Sequence, residues 1–181
     1  MNKKIITCLI ILFIFNVNAT SNYIENNKIN TLVEFFSFTC KHCANVNEKL
    51  VQYISSNHIK YLDINIDDNP SSIYTTIMYY IAVDAGVGVE FKNIYFKAIA
   101  MGMTAYSQDT LLYVFKKLNN PIMIKLLNST IERERIKKKM KYAKDLMTIY
   151  KIRVTPSFLI NQTTLLEGED IINSLGDSNE K

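Results

Sequence analysis

Two cysteines separated by two residues, Cys40-Lys41-His42-Cys43, are the positions of this chain best suited to covalent chemistry. A bridge over so short an interval closes almost no loop, so reactivity explains the pair better than stability does. Upstream, Thr31 to Phe38 is an almost continuous apolar and β-branched run, which predicts a strand buried on both faces. Downstream, Val46, Leu50, Tyr53 and Ile54 recur at three and four residues, which predicts a helix ending near Asn57. Cys40 therefore falls where strand gives way to helix. Unpaired N–H groups and the positive end of the helix dipole favour an anion there, so Cys40 is expected to form a thiolate readily. Cys43, one turn inside, is the less exposed sulfur and resolves the mixed disulfide that Cys40 forms. Lys41 and His42 add two potential cations beside the first sulfur, and a better-stabilised thiolate makes the disulfide a stronger oxidant. Each also has an ordinary reading as a side chain in water.

The same side chains admit a second chemistry, because Cys40, Cys43 and His42 are all metal ligands in other settings. A closed zinc site needs four ligands, and His58 is the one other histidine, so two thiolates binding Cu(I) is the economical form of this alternative. The preferred reading needs no metal and no cofactor. A redox-inactive binding domain that keeps the cysteines is a further alternative.

The elements around the pair read as a parallel α/β frame. Ile59 to Ile66 is a second strand-like run before the turn Asp67-Asp68-Asn69-Pro70, which completes a βαβ unit. Residues 71–150 are helical in character. Ser71-Ser72 can cap a helix reaching Asp84, Gly86-Val87-Gly88 breaks it, and further helical patterns cover Glu90 to Ala100 and the run from Ser107 to Leu118. Asn120-Pro121 starts another helix. The longest runs from Thr130 to Tyr150, with Ile131, Ile136, Met140, Ala143, Met147 and Tyr150 expected on one side. Its Lys137-Lys138-Lys139 run reads as a solvated face, with anionic lipid contact as the alternative. Strand character returns at Pro156 to Ile160 and Leu165-Leu166, joined as a hairpin, and Glu169 to Leu175 reads as a terminal helix.

The first residues suggest export. Lys3 and Lys4 precede the apolar run Ile5 to Phe15, and Val17-Asn18-Ala19 fits cleavage after Ala19, so residues 1–19 read as a signal peptide. Of the three cysteines, Cys8 lies in that leader, which leaves only Cys40 and Cys43 and excludes a multi-disulfide framework. The formal charge of +4 includes Lys3 and Lys4 and is no footprint of nucleic-acid binding.

The segment Glu34-Phe35-Phe36-Ser37-Phe38-Thr39-Cys40-Lys41-His42-Cys43 resembles the active-site segment of the DsbA family of periplasmic disulfide oxidases. The resemblance implies an α/β thioredoxin fold with an inserted helical domain, here 20–70 and 151–181 around an insert at 71–150. The long interval between Cys43 and Pro156 leaves room for such an insert. It further implies that Pro156 is the family's cis-proline beside the disulfide, shaping a groove for a substrate strand, with Thr155 before it. Glu34 corresponds to a buried acid behind the cysteines that exchanges a proton with Cys43, or else reaches solvent at the strand edge. By the same likeness the substrates are unfolded exported proteins in the periplasm and the partner is a DsbB-type membrane oxidoreductase. Two departures bear on redox direction: the inner dipeptide is Lys-His where Pro-His is typical, and Thr155 stands where valine is usual. Threonine there resembles periplasmic reductases and isomerases, which keeps electron flow in the opposite direction as an alternative. The lysine that often partners the buried acid has no match around Tyr61.

Overall fold

The computed structural model describes residues 29–127 and 129–168. The expected leader 1–19, most of the polar lead-in, and the expected terminal helix Glu169 to Leu175 lie outside the described residues.

Strand β1 (Thr31–Phe36) leads through helix α1 (Lys41–Asn57) to β2 (Lys60–Asn65), and β2 pairs with β1 in parallel, with Thr31 opposite Lys60 and Phe36 opposite Asn65. Parallel neighbours need a crossover, which α1 provides. The helix stops at His58, whose left-handed φ of 52° returns its N–H to the Ile54 carbonyl. On the other edge of β1 lies an antiparallel hairpin, β3 (Ser157–Ile160) and β4 (Thr164–Glu167), giving the strand order β2-β1-β3-β4. A neighbour on each side and cover on both faces explain the apolar run of β1.

The run ends sooner than expected. β1 stops at Phe36, and the chain turns through Ser37 to Thr39 with the Phe38 N–H donating to Asp67 Oδ2 at 2.9 Å. Phe38 is nonetheless fully buried, which is why its apolar character reads as strand.

Between β2 and β3 the chain forms α2 (Ile73–Asp84), α3 (Gly88–Ala100), α4 (Gln108–Leu118), α5 (Pro121–Leu127) and α6 (Thr130–Ile149). Two expected start signals act through their side chains. Ser107 Oγ accepts the Thr110 N–H at 3.2 Å, and Asn120 Oδ1 accepts the Ile122 and Met123 N–H groups at 2.9 and 3.0 Å. Ser72 sits at the N-cap of α2 but makes no capping bond; its hydroxyl donates to the Asn69 carbonyl instead.

The inner stripe of α6 differs from the expected one by one residue. Ile131 is 82% exposed, whereas Glu132 is buried with Ile136 and Ala143. Residues four apart share a helix face, so the stripe through Ile136 passes through position 132 and not 131.

Alternation along β1 sends Leu32, Glu34 and Phe36 to one face and Val33 and Phe35 to the other. Leu32 packs with Val46 and Leu50 of α1, while Phe35 packs with Ala143 of α6. Phe36 and Phe38 enter an aromatic cluster with Tyr79 of α2 and Phe91, Tyr95 and Phe96 of α3, with ring centroids 5.1 Å apart for Phe36–Phe38 and 4.3 Å for Phe38–Tyr95. Each such ring pair adds about 0.5–1.5 kcal/mol beyond area burial. Cys43 belongs to this cluster, so the helices after β2 form part of the packing around the second sulfur.

Candidate active site

Cys40 and Cys43 are joined by a disulfide with their Cα atoms 5.2 Å apart. Cys40 is the N-cap of α1, with extended backbone (φ −77°, ψ 108°), and its Sγ accepts the Cys43 N–H at 3.1 Å. One of the amides that a helix's first turn leaves unpaired is thereby directed at the sulfur. The first turn of α1 holds no acidic residue, and Lys41 and His42 are both exposed within it. Cys43 is fully buried, whereas Cys40 is only partly covered.

The Thr155 carbonyl oxygen lies 3.2 Å from Cys40 Sγ. In the disulfide neither sulfur has a proton, so this is a packing contact; a protonated Cys40 thiol can donate to the same oxygen. The Thr155–Pro156 peptide is cis, and Pro156 is buried. Ser157 Oγ donates to the Val154 carbonyl at 2.7 Å, and the Pro156 carbonyl accepts the Gly168 N–H at 2.8 Å, which ties this loop to the end of β4. Residues at opposite ends of the sequence thus meet at one sulfur.

Thr39, exposed beside Cys40, accepts a long hydrogen bond from Tyr106 Oη at 3.4 Å, and the Tyr106 N–H donates to Tyr95 Oη at 2.8 Å. Burial, the largest influence, pushes the Tyr106 hydroxyl up to about 12, so it remains a neutral donor.

Glu34 is fully buried and does not reach solvent at the strand edge. Its Oε2 accepts from Lys92 Nζ of α3 at 2.6 Å and from Tyr61 Oη of β2. Lys92, 1% exposed, also donates to Tyr61 Oη at 3.1 Å, lies 3.8 Å from Asp63 Oδ2 and sits 4.2 Å above the Phe36 ring. Asp63 is the register partner of Glu34 across the β1–β2 ladder, and both are buried. Burial, and then the adjacent Glu34 and Asp63 carboxylates, holds the Tyr61 hydroxyl well above its ordinary range, so it stays protonated and donates. Tyr61 takes the place where the resemblance leads one to look for a lysine, and the lysine comes from α3 instead. Its signal in the sequence is a cation between Phe91 and Tyr95 on an apolar helix face. Lysines so placed commonly lead their ammonium out to water, which hides the cases that do not.

Among the described residues no three His, Cys, Asp or Glu side chains cluster as a metal site. His58 closes the far end of the 17-residue α1, about 25 Å of helix from the cysteines. Nor is any described helix long and apolar enough to cross a membrane.

A βαβ unit and a ββ hairpin around a helical run, with a Cys-x-x-Cys disulfide at the start of α1 and a cis-proline against it, define a thioredoxin-fold thiol–disulfide site. Residues 25–171 match the family model described as Thioredoxin, and the chain belongs to that family. Within it the fold is DsbA-like. The thiol-disulfide exchange protein alpha-DsbA2 from Wolbachia pipientis aligns with a TM-score of 0.64 at 18% identity, covering 88% of this chain and 94% of that one. Oxidoreductase DsbA from Xylella fastidiosa gives 0.65 at 19% identity over 84% and 83% of the two chains. Disulfide oxidoreductase DsbA from Proteus mirabilis gives 0.59 at 21% identity over 81% and 87%. No curated protein sequence matches the chain.

Proposed function

We propose that this protein is an exported thiol–disulfide oxidoreductase that passes the Cys40–Cys43 disulfide to unfolded proteins in the periplasm. The observation that carries this reading is the asymmetry of the pair. Cys40 is accessible and has a helix-terminal N–H 3.1 Å from its sulfur, while Cys43 is sealed in the core. A client thiolate attacks Cys40 Sγ, the Cys40–Cys43 bond breaks, and Cys43 leaves and takes up a proton. A second client thiolate then attacks the client sulfur of the mixed disulfide, which forms the client's own disulfide and releases Cys40 as a thiolate facing the Cys43 N–H. Two electrons pass to the protein. A DsbB-type membrane oxidoreductase returns them to an acceptor and restores the bridge.

Within this scheme Lys41 and His42 favour the Cys40 thiolate, Glu34 exchanges the Cys43 proton, and Thr155-Pro156 aligns an extended client segment beside the sulfur. Support for the last role is the 3.2 Å approach of the Thr155 carbonyl to Cys40. A reductase or isomerase of the same fold is the second reading, favoured by threonine at position 155.

Incubating the oxidised protein with a reduced, unfolded multi-cysteine protein tests the scheme. The wild type should form disulfides in the client, and Cys40→Ala, which has no bridge to donate, should be inert; Cys43→Ala, given instead a client that already holds disulfides, should accumulate mixed disulfides through Cys40 because the intramolecular resolving thiol is gone. Alkylation that labels Cys43 before Cys40 in the reduced protein overturns the assignment of roles.

A further inference from the structure

Helix α6 turns to solvent a face that the fold does not use. Its inner side packs into the core through Ile136, Met140, Ala143 and Met147, whereas Ile131, Tyr142 and Ile149 are 82%, 57% and 66% exposed. At 3.6 residues per turn, positions 131, 138, 142 and 149 fall on one line along the helix, and at 1.5 Å per residue that line is about 27 Å long. It reads Ile, Lys, Tyr, Ile. Single surface hydrophobes are ordinary, but three large ones in register opposite the core call for an occupant.

The charge around the line is mostly of one sign. α6 carries seven lysines and arginines against three acids. The two acids nearest the line are already engaged, Glu134 by Lys137 at 2.7 Å and Asp145 by Lys141 at 2.8 Å, while Glu132 on the inner side lies 3.6 Å from Arg135. Arg135 and Lys139 also reach Asp84, and Lys144 reaches Asp68 at 3.5 Å. Arg133 and Lys138 are exposed and pair with no carboxylate among the described residues.

These features select the occupant. A second copy of the chain would set like charges against each other along the line, and an apolar protein groove would have to bury the Lys138 ammonium between Ile131 and Tyr142. An anionic lipid surface meets neither obstacle. The isoleucines enter the boundary between headgroups and acyl chains, the tyrosine ring sits at that depth with its hydroxyl in water, and the long cationic side chains reach the lipid phosphates. The helix meets such a surface lying along it, since no described helix is long and apolar enough to span a bilayer.

We propose that the outer face of α6, centred on Ile131, Lys138, Tyr142 and Ile149, docks the protein on anionic phospholipid. The inference stands on this surface alone and does not depend on the cysteine chemistry. In the proposed cycle, docking concentrates the protein where a membrane-embedded oxidoreductase reoxidises it.

The test is co-sedimentation of the protein, freed of the expected leader 1–19 whose own apolar run would bind lipid, with two kinds of vesicle: equal parts phosphatidylglycerol and phosphatidylcholine, and phosphatidylcholine alone. The wild type should bind the mixed vesicles, bind them less as salt is raised, and ignore pure phosphatidylcholine. A cation at an anionic surface strengthens binding on the order of fivefold, so Lys138→Glu, which removes one and adds an opposing charge, should weaken it on the order of tenfold or more. Ile131→Ser combined with Ile149→Ser should weaken it severalfold without changing its salt dependence. These side chains are exposed, so thermal unfolding and disulfide exchange should stay as in the wild type. Equal binding to both kinds of vesicle, no binding to either, or a wild-type affinity in Lys138→Glu or in the serine variant overturns the proposal while leaving disulfide exchange intact. A wild type that ignores both vesicles and runs as a dimer, which the serine variant dissolves, assigns the face to a second copy instead.

Discussion

Lys92→Met is the substitution with the largest predicted effect outside the cysteines. The ammonium is 1% exposed and its main partner Glu34 is 0% exposed, so the pair lies in the regime where deleting one partner leaves an uncompensated buried charge. That costs about 3–5 kcal/mol. Several further interactions disappear with it: the 3.8 Å approach to Asp63, the bond to Tyr61 and the seat over the Phe36 ring. The expected loss is therefore at the upper end, about 4–5 kcal/mol, against a total of ~5–15 kcal/mol for an ordinary domain. Urea unfolding of the oxidised protein reads it, followed by circular dichroism since the chain has no tryptophan. The midpoint should fall while the slope is kept. Glu34→Gln in the Lys92→Met background removes the stranded charge and keeps an acceptor for Tyr61. The double variant should thus be at least ~2 kcal/mol more stable than the sum of the single losses implies. A loss below ~1 kcal/mol for Lys92→Met, or strict additivity, would mean that no buried charge is left stranded when the ammonium is removed.

His42→Ser removes a potential cation from the exposed first turn of α1 and should lower the reduction potential, with ~30 mV corresponding to a tenfold change; an unchanged potential removes His42 from the mechanism. Thr155→Val keeps the carbonyl that faces Cys40, so stability should stay within ~1.5 kcal/mol by thermal unfolding, and any change should fall on client or partner preference. A third test concerns the contact between α2 and α6. The hydrogen bond with Asp84, followed by burial, raises the Glu132 carboxyl, whereas burial of Asp84 is outweighed by that bond and by Lys139 and Arg135, which lower it. A raised carboxyl loses its proton first in the unfolded chain, so Glu132 lowers stability as pH rises through the window between its unfolded and folded values. Glu132→Gln keeps a donor for Asp84 and should melt above the wild type at pH 7, with the difference vanishing at pH 3, below the unfolded carboxylate range. A difference that persists at pH 3 contradicts the assignment.

Local pattern made much of the frame legible. The apolar run of β1, the periodicity of α1 and the turn after β2 each specify an element from neighbouring residues alone, and Cys40 takes its place at a helix start from that sequence of elements. The errors have equally local causes. Phe38 is apolar because it fills the aromatic cluster, not because it continues the ladder, and Ile131 lies one residue away from the stripe that Glu132 occupies. Glu34 was visible as an acid in an apolar strand, but its partners were not. Tyr61 reaches it across a strand pair and Lys92 from a helix 58 positions further on, and no spacing rule joins residues whose proximity is created only by the packing of α3 on the sheet. The contact between Thr155 and Cys40 is of the same long-range kind, and there resemblance to a family supplied what pattern could not.

Whether Cys40–Cys43 is an exchange disulfide acting as an oxidant is decided by titrating the protein against glutathione buffers of known ratio. An oxidant gives a two-electron transition above the glutathione poise of about −220 mV, abolished in Cys40→Ala. A potential below about −300 mV, the range of structural disulfides, would contradict it.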